Sequence, residues 1–160
     1  MKKRYFLAAI LLVLTLLACC SMALADDDVP PPDLISDNPN FSSLEWRLNV
    51  MPLDEDVKLT YMSASISKAD STHVFVKGMT QANKICYRIG GYMTIQQWKN
   101  NKWNTYTTVS YSEYGTATAT GTATISVATG YYYRVIISHY ANHGEDNDLA
   151  SITTKSVLVN

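Results

Sequence analysis

The stretch GTATATGTATISVATGYYY, residues 115–133, alternates threonine with small or apolar residues and ends in three tyrosines. Successive side chains of a β-strand point to opposite faces, so one face would carry the threonines and the other would carry Ala117, Ala119, Gly121, Ala123, Ile125 and Val127. A flexible linker would use Gly and Ser rather than β-branched Thr. An ice-binding solenoid would repeat the array along the chain, which this sequence does not do. Residues 115–128 are therefore predicted to be a strand, bent or bulged at Gly121.

The tyrosine run extends the same two-residue period. Tyr131, Tyr133, Val135 and Ile137 share one parity, and Arg134 marks the opposite, outward parity. The first set is therefore predicted to face the core. The same reasoning predicts a second inward-facing set, which lies across from Val74 and Val76 and consists of Ile85, Tyr87, Ile89, Met93 and Ile95.

Beyond Lys58 the chain has no proline, and Thr, Tyr, Val and Ile dominate with period two. Asn100 and Asn101 predict a hairpin turn, because Asn tolerates positive φ. Seven strands are predicted, at about residues 58–67, 72–80, 84–98, 102–112, 115–128, 131–140 and 150–159. We expect an all-β, antiparallel, seven-stranded sandwich over residues 58–160.

The first 25 residues have the pattern of a secretory signal peptide. Three cations precede an apolar run, and Ala23-Leu24-Ala25 forms a small-x-small cleavage site. Cleavage near Ala25 predicts a secreted, extracellular product. A competing lipobox-like site would leave a lipoprotein anchored at Cys19. No transmembrane segment is predicted in the remainder, because no second apolar run of spanning length follows. Residues 26–57 form an acidic, Pro-rich leader that is expected to be mostly irregular.

The chain has 160 residues and a net charge of −1, and losing the three signal cations leaves ten Lys+Arg against fourteen Asp+Glu. This acidic balance argues against nucleic acid as a partner. Of three cysteines, Cys86 alone lies beyond the signal, so no intrachain disulfide is expected in the exported chain. Cys86 is expected to be a small buried hydrophobic residue.

Two resemblances add to this interpretation. The segment Gly130–Val135 resembles the start of strand F in immunoglobulin-like and fibronectin type III sandwiches, where a tyrosine, here Tyr133, bonds the backbone upstream. More broadly, the chain resembles a family of small secreted proteins of Gram-positive, clostridial-type bacteria that is catalogued as a domain of unknown function. The similarity covers roughly residues 58–158 and rests on Ser65–Ser67, Val74–Thr80, Ile95–Trp103, Gly130–Val135 and His139. It implies one exported β domain and no particular activity.

Candidate chemistry is sparse. His139, His143 and Glu145 have a zinc-like spacing, but the two histidines would meet only on a helix. Glu145, Asp146 and Asp148 are weak calcium candidates, since the loop lacks the full ligand order of a calcium-binding loop. The sequence has no Gly-x-Ser-x-Gly elbow and no pair of carboxylates on the predicted strands, so no catalytic residue and no cofactor is predicted and the protein is expected not to be an enzyme.

Aromatic residues carry the functional prediction, because two tryptophans flank one hairpin and three tyrosines fall on outward parities. Such side chains can stack on sugar rings or anchor a protein partner. The candidate ligand-binding residues are Trp98, Trp103, Tyr92, Tyr132 and Tyr140. The predicted function is binding of cell-envelope carbohydrate or of a protein partner outside the cell, with oligomeric state left open. The alternatives are a structural or accessory domain without a ligand, in which both tryptophans cap the core, and a small secreted enzyme of unrecognised type.

Overall fold

The computed structural model describes residues 29–48 and 56–160. Apart from a 3-10 turn at Pro32–Leu34, the regular structure of these residues is β, which confirms the predicted class. The strands are β1 (Phe41–Arg47), β2 (Leu59–Asp70), β3 (His73–Trp98), β4 (Trp103–Ser126), β5 (Tyr131–His143), β6 (Asp146–Thr153) and β7 (Val157–Val159). The predicted signal peptide (1–25), Cys19 and residues 26–28 lie outside the described residues.

The seven strands form one antiparallel sheet rather than the two sheets of a sandwich. The first half of β3 lies between β2 and β4, and its second half lies between β5 and β4. β1 extends the sheet beyond β2, while β6 and β7 both pair with β5. Because β3 and β4 run through both halves, the sheet curls on itself and encloses its core without splitting in two.

Two predicted breaks between strands were wrong. One was expected between 72–80 and 84–98, and the other between 102–112 and 115–128. Each pair is one continuous strand, and the expected break in β3 is a β-bulge. The step from Gln81 to Cys86 on β3 lies opposite the step from Thr118 to Thr116 on β4. Three extra residues on β3 exchange its two faces while β4 keeps its parity, and the local bend helps the sheet to curl.

This exchange of faces explains why inward residues of β3 have even numbers before the bulge and odd numbers after it. Val74 and Val76 are buried, as are Ile89, Met93 and Ile95, so these predictions are confirmed. The prediction for Ile85 and Tyr87 was wrong, because they lie in or next to the bulge, and they are 64% and 72% exposed. Cys86 is the residue that enters the interior at this point, and it is 1% exposed.

The burial of residues 119–128 alternates as the sequence predicts. Ala119, Gly121 and Val127 are buried, whereas the threonines at 120, 122 and 124 are exposed. On β5, Tyr133, Val135 and Ile137 are fully buried and Tyr131 is half-buried. Asn100 and Asn101 adopt φ of 56° and 57° in the predicted hairpin turn, which the Lys99 N–H closes by donating to the Lys102 carbonyl at 3.0 Å.

Tyr111 occupies the inside of the curl. A Cβ at Gly121 would lie 2.3 Å from Tyr111 Cγ, and a Cβ at Gly78 or Gly91 would lie 2.9 Å from its hydroxyl. The pairing of Gly78 with Gly121 is regular, so the bulge predicted at Gly121 is absent. Glycine is needed there because the aromatic ring lies directly on the backbone.

β1 lies within the proline-rich leader. It begins two residues after Pro39. It pairs in register with β2, from Phe41 opposite Ser67 to Arg47 opposite Tyr61. β1 thereby becomes an edge strand of the sheet, a position that tolerates a neighbouring proline.

Candidate functional site

The outer face of the second half of the sheet carries most of the predicted ligand-binding aromatics. Arg88 and Tyr92 on β3 lie opposite Asn142 and Ser138 on β5, and Tyr140 lies opposite Leu149 on β6. These neighbours surround a shallow cavity of about 210 Å³, which we call the tyrosine pocket and which is lined by Arg88, Tyr92, Tyr140, Asn142 and Leu149. The pocket is small for a drug-sized ligand and suits one ring or one side chain.

The walls of the tyrosine pocket are aromatic. The rings of Tyr92 and Tyr140 have centroids 5.6 Å apart. The Arg88 guanidinium lies 5.3 Å from the Tyr140 centroid and 5.8 Å from that of Tyr114, so two rings hold it in place. Tyr92 is 47% exposed and Leu149 is 73% exposed, whereas Tyr140 is buried. The pocket therefore offers one open aromatic face beside a fixed cation.

Two polar atoms at the pocket have no hydrogen-bond partner within the described residues. They are Arg88 Nε and the Tyr140 hydroxyl oxygen, and both are buried. Buried polar groups are nearly always satisfied, by other protein groups or by ordered water. The Asn142 amide at the rim donates to the Asn147 side-chain oxygen, which orients it. A ligand with hydroxyl or acidic oxygens could accept from Arg88 and exchange hydrogen bonds with Tyr140.

The two predicted tryptophans form a separate cluster at the hairpin end. Their rings lie 5.2 Å apart, and Arg134 covers Trp103 with its guanidinium carbon 4.2 Å from the ring centroid. Arg134 Nε also donates to the Gln96 side-chain oxygen at 2.9 Å, and burial lowers the pKa of this guanidinium. Trp98 is 9% exposed and Trp103 is half-buried. Neither belongs to the hydrophobic core cluster, so their burial is local to the outer face.

Tyr132 lies apart from both groups. It is half-buried on β5 and pairs with Leu158 on β7. The structure thus brings Tyr92 and Tyr140 together and leaves Trp98, Trp103 and Tyr132 outside the tyrosine pocket. Sequence reasoning missed Arg88, Asn142 and Leu149, since their contribution depends on the pairing of β3, β5 and β6.

The residues considered as weak metal ligands are either exposed or already in hydrogen-bond contact with the backbone. Asp148 Oδ2 accepts a hydrogen bond from the Leu59 N–H at 2.7 Å, while Glu145 and Asp146 are exposed. His143 Nδ1 lies 2.7 Å from the Ile85 carbonyl oxygen. Within residues 29–48 and 56–160, no group of three or more His, Cys, Asp or Glu side chains could hold a metal ion.

His139 belongs to a buried polar cluster that the sequence did not predict. Thr80 Oγ1 donates to the Gly90 carbonyl at 3.0 Å and lies 2.8 Å from both His139 Nδ1 and the Tyr111 hydroxyl. When the Thr80 hydroxyl donates to the Gly90 carbonyl, His139 Nδ1–H donates to Thr80 Oγ1, and Nε2 is then the unprotonated nitrogen. His139 is fully buried and Nε2 has no partner in the described part of the chain, so this cluster is sealed from substrates.

A second concave surface lies on the outer face of the first half of the sheet. Phe41 on β1 and Phe75 on β3 flank Ser67 on β2 in one cross-strand row. Small residues along β2 leave a trough of about 420 Å³ between the two walls, which we call the serine trough. Phe41 and Phe75 are 44% and 37% exposed, so this surface is the main aromatic alternative to the tyrosine pocket.

Burial raises the pKa of the Cys86 thiol, and no other cysteine lies in the described residues. The thiol form that this favours is a poor nucleophile. The described part of the chain also contains no helix that is both long and apolar enough to cross a membrane. Comparison of the chain with protein-family models, with curated proteins and with solved structures gives no match.

Proposed function

We propose that this chain is an exported, non-enzymatic β protein that binds carbohydrate of the bacterial cell envelope at the tyrosine pocket. The observation that carries the proposal is the combination of an open Tyr92 ring with the unpartnered Arg88 Nε in one cavity. An aromatic face binds the apolar side of a sugar ring, and the guanidinium donates to its hydroxyl or acidic oxygens.

The chemistry of the pocket favours a sugar carrying a carboxylate or phosphate group over a neutral one. Arg88 is held between two tyrosine rings, and its guanidinium offers N–H donors with a geometry that matches carboxylate or phosphate oxygens. Within the lining of the tyrosine pocket there is no carboxylate to neutralise it. Acidic polysaccharides of the envelope are therefore the first ligand class to test.

Export is part of the proposal and rests on residues 1–25. The cationic start, the apolar run and Ala23-Leu24-Ala25 support cleavage before the acidic leader, with lipid attachment at Cys19 as the alternative. The resemblance to small secreted proteins of Gram-positive bacteria supports the same location.

The Tyr133 hydroxyl donates to the Ala128 carbonyl at 2.9 Å, which supports the likeness of Gly130–Val135 to strand F of immunoglobulin-like domains.

The test is binding of the purified chain without residues 1–25 to an array of neutral and acidic glycans, followed by titration of the best ligand. Tyr92→Ala should weaken binding about tenfold, which corresponds to the roughly 1.4 kcal/mol expected for one stacking contact. Arg88→Gln should weaken binding of acidic glycans more than that of neutral ones. Phe75→Ala in the serine trough is the matched aromatic control and should leave binding unchanged.

Two outcomes would contradict this assignment. Loss of binding in Phe75→Ala, with Tyr92→Ala unaffected, would move the site to the serine trough. Absence of glycan binding throughout would favour the second candidate, a structural domain without a ligand. Burial of Tyr140 and Trp98 supports that candidate, because buried rings contribute to stability rather than to a contact surface.

A further inference from the structure

β1 ends the sheet and leaves one of its edges open. The Leu48 N–H donates to the Thr60 carbonyl at 2.9 Å, and the Lys68 N–H donates to the Asn40 carbonyl at 2.8 Å. Even-numbered residues of this segment therefore direct their backbone groups toward β2. The N–H and C=O groups of Ser43, Glu45 and Arg47 point away from the sheet, where β1 meets no other strand of the described chain.

The side chains of β1 divide into an apolar row and a charged row. Leu44, Trp46 and Leu48 lie on one face and are 45%, 39% and 40% exposed. Glu45 and Arg47 lie on the opposite face, and both are exposed. Open edges with exposed apolar side chains pair with other strands unless charge or proline prevents it. The charges of Glu45 and Arg47 have opposite sign and are two residues apart, so they can attract a partner strand rather than repel it.

We propose that β1 pairs antiparallel with β1 of a second copy of this chain, with the two-fold axis at Trp46. This register places Glu45 opposite Arg47 of the second copy, and Arg47 opposite its Glu45. Both pairs use the outward-pointing backbone groups, so they form four backbone hydrogen bonds and two ion pairs. On the other face the two Trp46 side chains meet, and Leu44 meets Leu48.

The neighbouring registers are excluded by two observations. An axis at Glu45 would place two glutamates directly opposite each other, which is destabilising. An axis at Leu44 would pair Arg47 with Phe41, whose outward groups are already used within the chain. The Phe41 N–H donates to the Asn38 carbonyl at 3.2 Å, and its carbonyl accepts from the Ser36 hydroxyl at 2.6 Å. An axis at Arg47 would place two arginines opposite each other. Among these registers, only the one centred on Trp46 pairs opposite charges and uses free backbone groups.

The pairing is closed and symmetric, since the same edge is used by both copies. It therefore produces dimers rather than fibres. Glu45 and Arg47 select the register and the partner, while the apolar row supplies the burial. The contact is short, so we expect a dissociation constant in the micromolar to millimolar range and weaker association at high salt.

The test is sedimentation velocity of the chain without residues 1–25 over concentrations up to about 1 mM. Wild type should show a concentration-dependent dimer. Glu45→Arg and Arg47→Glu should each be monomeric, because each places like charges opposite one another. An equimolar mixture of these two variants should dimerise, since one copy then carries two arginines and the other two glutamates. The double swap E45R/R47E should also dimerise.

Glu145→Arg, in the turn before β6, is the matched charge control and should behave as wild type. Trp46 fluorescence should shift to shorter wavelength on dimerisation. Wild type that stays monomeric throughout would overturn the proposal. A dimer that persists in both single variants would also overturn it and would place the interface elsewhere, for example on the edge of β6. Failure of the mixture to dimerise would refute the Trp46 register.

Discussion

Protonation of His139 should destabilise the fold in mildly acidic solution. The imidazole is fully buried, and burial lowers the pKa of His139 from 6.5 to about 4. Protonation would also place an N–H at Nε2, where no acceptor lies within the described residues. The folded protein therefore resists a proton that the unfolded chain accepts readily, and stability must fall as pH drops below 6.5.

The size of the loss follows from the two pKa values. With 6.5 in the unfolded chain and about 4 in the folded one, linkage predicts a loss of about 2 kcal/mol between pH 7.5 and 5. The loss reaches about 3 kcal/mol at pH 4. Asp70 does not interfere above pH 4.5, because its carboxyl has a pKa of 3.8 in the unfolded chain, and the Thr72 backbone N–H and His73 lower that pKa to about 2 in the folded one. The stabilising effect of the Asp70 carboxylate is lost only as pH falls from 3.8 to about 2.

The assay is urea unfolding at pH 7.5, 6, 5 and 4.5, followed by tryptophan fluorescence. His139→Asn keeps an amide donor near the Nδ1 position and removes the titration. It should lower stability at pH 7.5 but flatten the dependence on pH by about 2 kcal/mol. His143→Asn, at an exposed position, is the control and should retain the wild-type slope. An unchanged slope in His139→Asn would refute the assignment of the buried neutral imidazole.

Three further predictions concern packing and reactivity. Gly121→Ala should cost about 2–3 kcal/mol in thermal or urea unfolding, because its Cβ meets Tyr111, and Gly121→Ala/Tyr111→Leu should cost less than the sum of the single variants. Tyr133→Phe should cost about 1–2 kcal/mol, since it leaves the Ala128 carbonyl without its donor; an unchanged melting temperature would contradict this. Cys86 should react with iodoacetamide only on unfolding, and reducing agent should leave the melting temperature unchanged; rapid labelling of folded protein, followed by mass spectrometry, would contradict its burial.

The candidate site was only partly predictable. The outward parity of Tyr92 and Tyr140 follows from counting along each strand, and the structure places both at the tyrosine pocket. Arg88 has the same outward parity as Tyr92, but its position beside Tyr140 depends on the pairing of β3 with β5. Leu149 enters through its pairing with Tyr140 on the neighbouring strand. Such neighbours are set by pairing between distant parts of the chain, which a local period does not encode.

The sequence by itself determined the class of structure and the sorting of side chains. Alternation of Thr with Ala, and of Tyr and Val with Arg, is a local pattern, so it specifies a strand and its two faces without knowledge of neighbours. Tertiary structure decided that 72–80 and 84–98 are one strand, that the sheet curls around Tyr111, and that β1 becomes an edge. These outcomes depend on register and on contacts between residues far apart in the chain. The bulge of three residues exchanges the two faces of β3, and the local alternation of residue types does not reveal it. The residues that it turns inward become buried only once the strands have paired.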